Sequence, residues 1–150
     1  DTSGKALVAA IACQPWMIKP NTDELVESYQ RPATSYAEQR KLFDSLTDIE
    51  HVVISMGEGG VNWLHASHPL HAQAPKVIVK STVGAGDSLL AGMIHGLVSQ
   101  LSPEETLKTA TAIASHAVTQ IGFRIPNPEV LDQLKAQTTI NSLSESDANC

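Results

Sequence analysis

Apolar and polar positions change period several times along the chain, and each change predicts an element. Asp1-Thr2-Ser3-Gly4 offers capping side chains ahead of the Ala-rich stretch 5–12, which predicts a helix beginning almost at residue 1. A domain seldom starts on the cap of a buried helix with no strand before it. The pattern therefore predicts a piece cut from a larger fold. Trp16-Met17-Ile18-Lys19 predicts a short buried strand, broken by Pro20-Asn21-Thr22. Asp23-Glu24-Leu25-Val26 then opens a helix with acids in its first turn. Tyr36, Leu42, Phe43 and Leu46 at helical spacing among charges predict an amphipathic helix over about 34–46, with Pro32 in a loop ahead of it.

His51-Val52-Val53-Ile54-Ser55-Met56 is β-branched and too short for a helix, so it predicts a strand. Gly57-Glu58-Gly59-Gly60 predicts a tight turn, and Val61-Asn62-Trp63-Leu64-His65 the return strand of a hairpin. Another strand is expected at about 76–80. From Asp87 the period becomes helical through Leu89, Leu90, Met93, Ile94, Leu97 and Val98, predicting a long buried helix that ends near Leu101. Ser102-Pro103-Glu104-Glu105 is a fresh helix start, expected to run to about Thr119 before a turn at Gly122. A last helix is expected over about 128–137, behind Pro126 and Asn127. Residues 138–150 are polar and aperiodic, which predicts a frayed tail. The order predicts an α/β domain over 1–137: a mainly parallel sheet flanked by helices, with one antiparallel hairpin near its edge.

Composition narrows the partners. A hydrophobic fraction of 42% and a charged fraction of 17% are those of a globular domain rather than a disordered chain. The net charge of −6 argues against nucleic acid, whose phosphates need a basic face. A small anion held by local N–H groups remains open. Cys13 and Cys150 make no disulfide framework, which predicts a reducing cytoplasmic setting. The apolar runs fall well short of the roughly 20 residues that span a bilayer, so no membrane partner is expected. His65, His68 and His71 share a spacing that invites a zinc reading. Pro69 lies among them in what reads as strand and turn, so the rings would not share a helical face and are expected on the surface. Met17, Met56 and Met93 are expected in the core, Lys76 and Lys80 in solvent.

The candidate chemistry centres on Gly84-Ala85-Gly86-Asp87, expected between an apolar strand and an apolar helix. The N–H groups of a helix start lack intrahelical partners, and the helix dipole favours an anion there. Glycines let backbone approach a ligand, and Asp87 could accept a proton. On these residues alone a second reading stands equally: a glycine turn with an ordinary acidic cap. Asn21 and Glu24, one helical turn apart, could serve a hard cation through water or be a cap and a first-turn acid.

The wider string Ser81-Thr82-Val83-Gly84-Ala85-Gly86-Asp87-Ser88-Leu89-Leu90-Ala91-Gly92 resembles the C-terminal signature of the ribokinase-like carbohydrate kinases, also called the phosphofructokinase B family. Asp1-Thr2-Ser3-Gly4, Lys19-Pro20-Asn21 with Glu24-Leu25, and Val53-Ile54-Ser55-Met56-Gly57 with Gly59-Gly60 agree with it in order and spacing. The resemblance runs to about residue 136 and implies the C-terminal part of a ribokinase-like three-layer fold, with the sugar site and lid in a half that is absent. It implies ATP and Mg2+ as cofactors, Asp87 as the base and residues 84–87 as an anion hole. Asn21 and Glu24 would act around the magnesium and its waters, and Ser55, Met56, Gly57, Glu58, Gly59 and Gly60 would admit the nucleotide. The adenine pocket would lie at the later helices and the loop around 117–122. A K+ site is implied more distantly at Ser81, Val83, Ala117, Gly122 and Arg124, with Gln120 in place of a more usual residue. No Walker P-loop is present, because no Lys-Ser or Lys-Thr follows the glycines. Within the family the string most resembles the phosphofructokinases, which implies a phosphorylated ketohexose. Fructose 1-phosphate is the expected one, with fructose 6-phosphate or tagatose 6-phosphate as alternatives, in a full-length homodimer. A reading of another class is a nucleotide-binding module without catalysis.

Overall fold

The computed structural model describes residues 2–44, 48–65, 68–122 and 124–144. In chain order the elements are α1 (Gly4–Ala12), β1 (Met17–Ile18), α2 (Thr22–Tyr29), α3 (Tyr36–Phe43) and β2 (His51–Ser55). A short 3-10 turn over Gly57–Gly59 leads to β3 (Val61–His65) and β4 (Leu70–Gln73). Then come α4 (Ala85–Val98), α5 (Pro103–Val118), α6 (Pro128–Gln137) and β5 (Thr139–Ser142).

The strands form one mixed sheet in the order β1-β2-β3-β4-β5. β1 and β2 are parallel, with Met17 opposite His51 and Ile18 opposite Val52, and a parallel bridge from Asn21 to Ser55 extends the pair. A parallel neighbour needs a crossover of about a dozen residues. The links 56–60 and 66–69 are far shorter, so β2, β3 and β4 run antiparallel in turn. Leu143 N–H donates to Pro69 O at 2.8 Å, which sets the end of β5 beside the start of β4.

By its contacts the chain divides into two units: Asp1–Gly57, Asn62–His71 and Ser142–Cys150 in the first, Glu58–Val61 and Ala72–Asn141 in the second. The first buries Leu7 and Ile11 of α1, Ile18 of β1, Leu25 of α2, Leu42 of α3, Val52 and Ile54 of β2 and Leu64 of β3 in one apolar cluster. In the second, α4 packs on α5 and α5 on α6. Close approach of α4 and α5 depends on small residues: a Cβ at Gly92 would fall 2.6 Å from Ala110 Cα, and one at Gly96 2.6 Å from Thr106 Cγ2. Leu89, Met93, Leu107 and Ala110 fill the space around that seam. Lys135 Nζ donates to Glu105 across the α5–α6 pair.

α5 starts on the capping chemistry read from the sequence, whereas Ser3 ahead of α1 makes no side-chain cap bond. Ser102 Oγ accepts from Glu105 N–H at 3.2 Å with Pro103 at the first position, and Asn127 Oδ1 accepts from Val130 N–H at 2.9 Å ahead of Pro128. Ser35 and Glu38 form a capping box that starts α3 at Tyr36.

Several expectations need correction. No strand forms at 76–80: Ile78 is 83% exposed, and the amides of Lys80 and Ser81 both donate to Val118 O at the end of α5 rather than to a ladder. The stretch expected to fray supplies β5, and Thr138 ahead of it is buried with its hydroxyl on Leu134 O. Residues 145–150 lie outside the described residues. Met93 is fully buried and Met56, half-buried, packs against the apolar cluster of the first unit, but Met17 is half-buried outside it. Lys76 and Lys80 are exposed as expected.

Candidate functional site

In the first unit the candidate residues gather where β1 and β2 end. In sheets with parallel strands, ligands bind outside the carboxyl ends of the strands, where the chain turns into helices. Asn21 follows β1, bridges to Ser55 at the end of β2, and is the N-cap of α2. Its Oδ1 accepts from Glu24 N–H at 2.8 Å, and Glu24 Oε2 accepts from Asn21 N–H at 2.8 Å. The bland reading of this pair, a cap and a first-turn acid, is therefore physically present. Glu24 Oε1 and the Asn21 amide nitrogen lie outside the capping box. Losing such a cap costs about 1 kcal/mol. Asn21→Ala is therefore expected to lower stability by that amount in a urea titration, and an unchanged midpoint would refute the cap.

Met56 and Gly57 follow Ser55. Gly57 has φ 57°, and nothing lies within 4 Å of where its Cβ would be, so that backbone is open on one side. Glu58, Gly59 and Gly60 fall in the second unit. Gly60 is held differently: at φ 88° a Cβ would sit 2.0 Å from Ala72 O. Gln73 Nε2 adds a hydrogen bond to Glu58 O at 3.0 Å.

The glycine motif in the second unit starts α4 two residues earlier than its apolar period suggests. Gly84 is the N-cap, left-handed at φ 82°, with no side-chain cap. Its carbonyl accepts from Ser88 N–H at 2.9 Å, and Ala85 N–H turns back to Thr82 O at 3.3 Å. The amides of Gly86 and Asp87 thus sit in the first turn, where no intrahelical acceptor exists. Asp87 is exposed at the third helical position. A helix start with a backbone cap and a forward acid presents amide donors and one carboxylate to the same solvent.

Around it, Ser81 Oγ accepts from Val83 N–H at 3.2 Å. The bonds from Lys80 and Ser81 to Val118 O bring Ser81 to the end of α5, next to Ala117, whose carbonyl accepts from Gln120 N–H at 3.3 Å. Gly122, at φ 85°, and Arg124 are exposed. The hydroxyl and carbonyls here are hard oxygen ligands of the kind K+ takes. Arg124 could add only its carbonyl, since guanidinium has no acceptor. Ile78, Val79, Val83, Ile121 and Ile125 are all exposed in this unit.

Of the histidine triplet, His68 and His71 join no metal-holding cluster among the described residues. His71 Nδ1 lies 2.7 Å from Asn62 Oδ1, His68 is exposed, and the side chain of His65 is outside the described residues. Among the described residues no cluster of His, Cys, Asp and Glu could hold a metal by itself. No helix among them is long and apolar enough to cross a membrane. Sequence reasoning passed over Gln39, a buried polar residue at helical spacing between Tyr36 and Leu42.

The family model for pfkB family carbohydrate kinases matches residues 1–130. The chain belongs to that family. It is 41% identical over 145 residues to 1-phosphofructokinase of Vibrio cholerae and 39% identical over 142 residues to that of Escherichia coli. These alignments take in 95% and 93% of this chain and 46% of each relative, so the chain spans about half the length of the curated relatives it matches. Its fold matches phosphofructokinase-2 of Escherichia coli in complex with substrates and products, with a TM-score of 0.78 and 30% identity over 89% of this chain and 45% of that one. That enzyme has also been solved in complex with potassium. The ribokinase-like α/β fold and the carbohydrate-kinase family expected from the residues are thus both borne out.

Proposed function

We propose that this pfkB chain supplies the nucleotide and phosphoryl-transfer part, over residues 1–137, of an ATP-dependent sugar-phosphate kinase. Its acceptor is fructose 1-phosphate and its product fructose 1,6-bisphosphate. The observation that carries the reading is the helix start at Gly84, capped by backbone with an acid at its third position, inside a family match to proteins named 1-phosphofructokinase. In this reading the Asp87 carboxylate takes the C6 hydroxyl proton as that oxygen bonds to the γ-phosphorus and the bond to the β,γ-bridging oxygen breaks. Within the 84–87 anion hole, the amides of Gly86 and Asp87 face the charge that develops on the transferred group. Phosphoryl transfer passes through a loose transition state, so fixed dipoles and positioning supply most of the catalysis. The backbone of residues 55–60 takes the nucleotide phosphates and ribose, and the later helices with the loop around 117–122 take the adenine.

Asn21 and Glu24 would hold Mg2+ through water. The capping box leaves one carboxylate oxygen outside it, which suits a cation that keeps several waters and is bound chiefly by substrate phosphates. The ion would supply charge neutralisation. Ser81, Val83, Ala117, Gly122 and Arg124 would give K+ oxygen ligands beside the anion hole. The full-length enzyme is proposed as a cytoplasmic homodimer.

The test is a transfer assay on the protein that carries this chain, with fructose 1-phosphate, fructose 6-phosphate and tagatose 6-phosphate side by side. The highest kcat/KM is expected for fructose 1-phosphate, and preference for either 6-phosphate would transfer the reading to that sugar. Calorimetry with Mg-ATP separates the remaining class. Binding without transfer to any acceptor identifies a nucleotide module, and no binding rejects the cleft.

A further inference from the structure

α3 turns two residues inward, Leu42 and Gln39. A leucine in a core needs no explanation, whereas an amide at 1% exposure does, because burying it is unfavourable unless its donors and acceptor are met. Gln39 meets them on three different elements. Its Nε2 donates to Ala33 O at 3.1 Å in the loop before α3, and to Met56 Sδ at 3.4 Å just past the end of β2. Its Oε1 accepts from Asn62 Nδ2 at 2.7 Å on β3. Asn62 Oδ1 in turn faces His71 Nδ1 at 2.7 Å on β4. The orientation of the Gln39 amide is fixed by this set. Flipped, its oxygen would meet the Ala33 carbonyl and its nitrogen the Asn62 amide nitrogen, two repulsive contacts in place of two bonds.

An apolar side chain of the same length would fill the volume equally well. What the amide adds is a link from the α3 loop and β3 to Met56, the residue directly before the open backbone of Gly57. We propose that Gln39 is a positioning residue for the nucleotide turn: it ties the Met56 side chain inward, so that the Met56–Gly57 backbone faces the phosphates in one conformation. The proposal rests on the nucleotide reading of that turn. Loops that bind ligands belong to the less stable parts of a fold, and a buried tether at one end restricts their opening.

Two variants test it. Gln39→Met keeps the packing and removes both donors and the acceptor. Met56→Leu leaves Gln39, Ala33 and Asn62 as they are and removes only the sulfur acceptor. Both are expected to speed amide hydrogen exchange in a peptide covering 54–60 by about fivefold, the effect of losing one modest hydrogen bond. Peptides from α1 and α2 should keep their protection. In steady-state kinetics of the kinase that carries this chain, KM for ATP is expected to rise about fivefold while kcat stays within about twofold. Unchanged exchange at 54–60 in both variants overturns the proposal, as does loss of protection spread evenly over the unit. If Gln39→Met does not fold, Met56→Leu decides alone. If the wild-type chain binds no ATP, the nucleotide reading fails, and the exchange comparison still decides whether Gln39 tethers the turn.

Discussion

Replacing Asp87 with asparagine is expected to lower kcat of the kinase that carries this chain by about 10^2- to 10^4-fold, the span attributed to a positioned general base. The substitution is well placed to isolate that step. Asp87 is exposed, and α4 is capped by the Gly84 backbone rather than by an aspartate side chain, with Ser88 N–H on Gly84 O at 2.9 Å. Folding therefore loses only the attraction between a first-turn acid and the helix dipole, about 0.3–1 kcal/mol. Asparagine keeps the size and cannot take the sugar proton. KM for ATP should stay level or fall, because removing a negative charge beside the phosphates relieves repulsion. Steady-state kinetics with ATP and the sugar phosphate each varied would check it. Turnover near the parent value would reject Asp87 as the base, whatever the family match implies.

What was legible in the sequence follows from how local each decision is. α5 and α6 start where Ser102-Pro103 and Asn127-Pro128 put them, because a cap, a proline and a first-turn acid act within four residues. The stretch 76–80 misled: Val77, Ile78 and Val79 favour a strand by propensity, yet a strand needs a neighbour. Here the Lys80 and Ser81 amides find the end of α5 instead. β5 failed in the opposite direction. Thr139–Ser142 is polar and short, and only its place beside β4, four strands along the sheet, makes it a strand. At the site, the glycine motif and the Asn21–Glu24 spacing were visible because each is a local signal. Gln39 was not, since the bonds that explain it come from the loop at 33, the end of β2 and β3, which helical periodicity cannot bring together.

The glycines of the turn after β2 read alike in the sequence, and the structure separates them. Gly60→Ala is expected to destabilise the chain by about 3 kcal/mol. The added Cβ would lie 2.0 Å from Ala72 O and 3.1 Å from its carbonyl carbon, and both are backbone atoms that cannot rotate away. Overpacking of that kind costs about 1–3 kcal/mol, and the left-handed φ of 88° adds about 1–2 kcal/mol for a residue with a Cβ. Against a total stability of about 5–15 kcal/mol this is a large loss. It should appear as a lower urea midpoint with an unchanged slope. Gly57→Ala meets no atom within 4 Å and bears only the left-handed cost at φ 57°, about 1–2 kcal/mol. Its side chain would instead occupy the open space beside the backbone proposed to take phosphate. The two variants should therefore divide: Gly60→Ala takes the larger loss of stability, and Gly57→Ala the smaller one together with a loss of Mg-ATP affinity in calorimetry. A Gly60→Ala chain as stable as the parent would show that β4 does not press on the turn. A Gly57→Ala chain that binds Mg-ATP normally would move the phosphates away from Gly57, and with them the reason for tethering Met56.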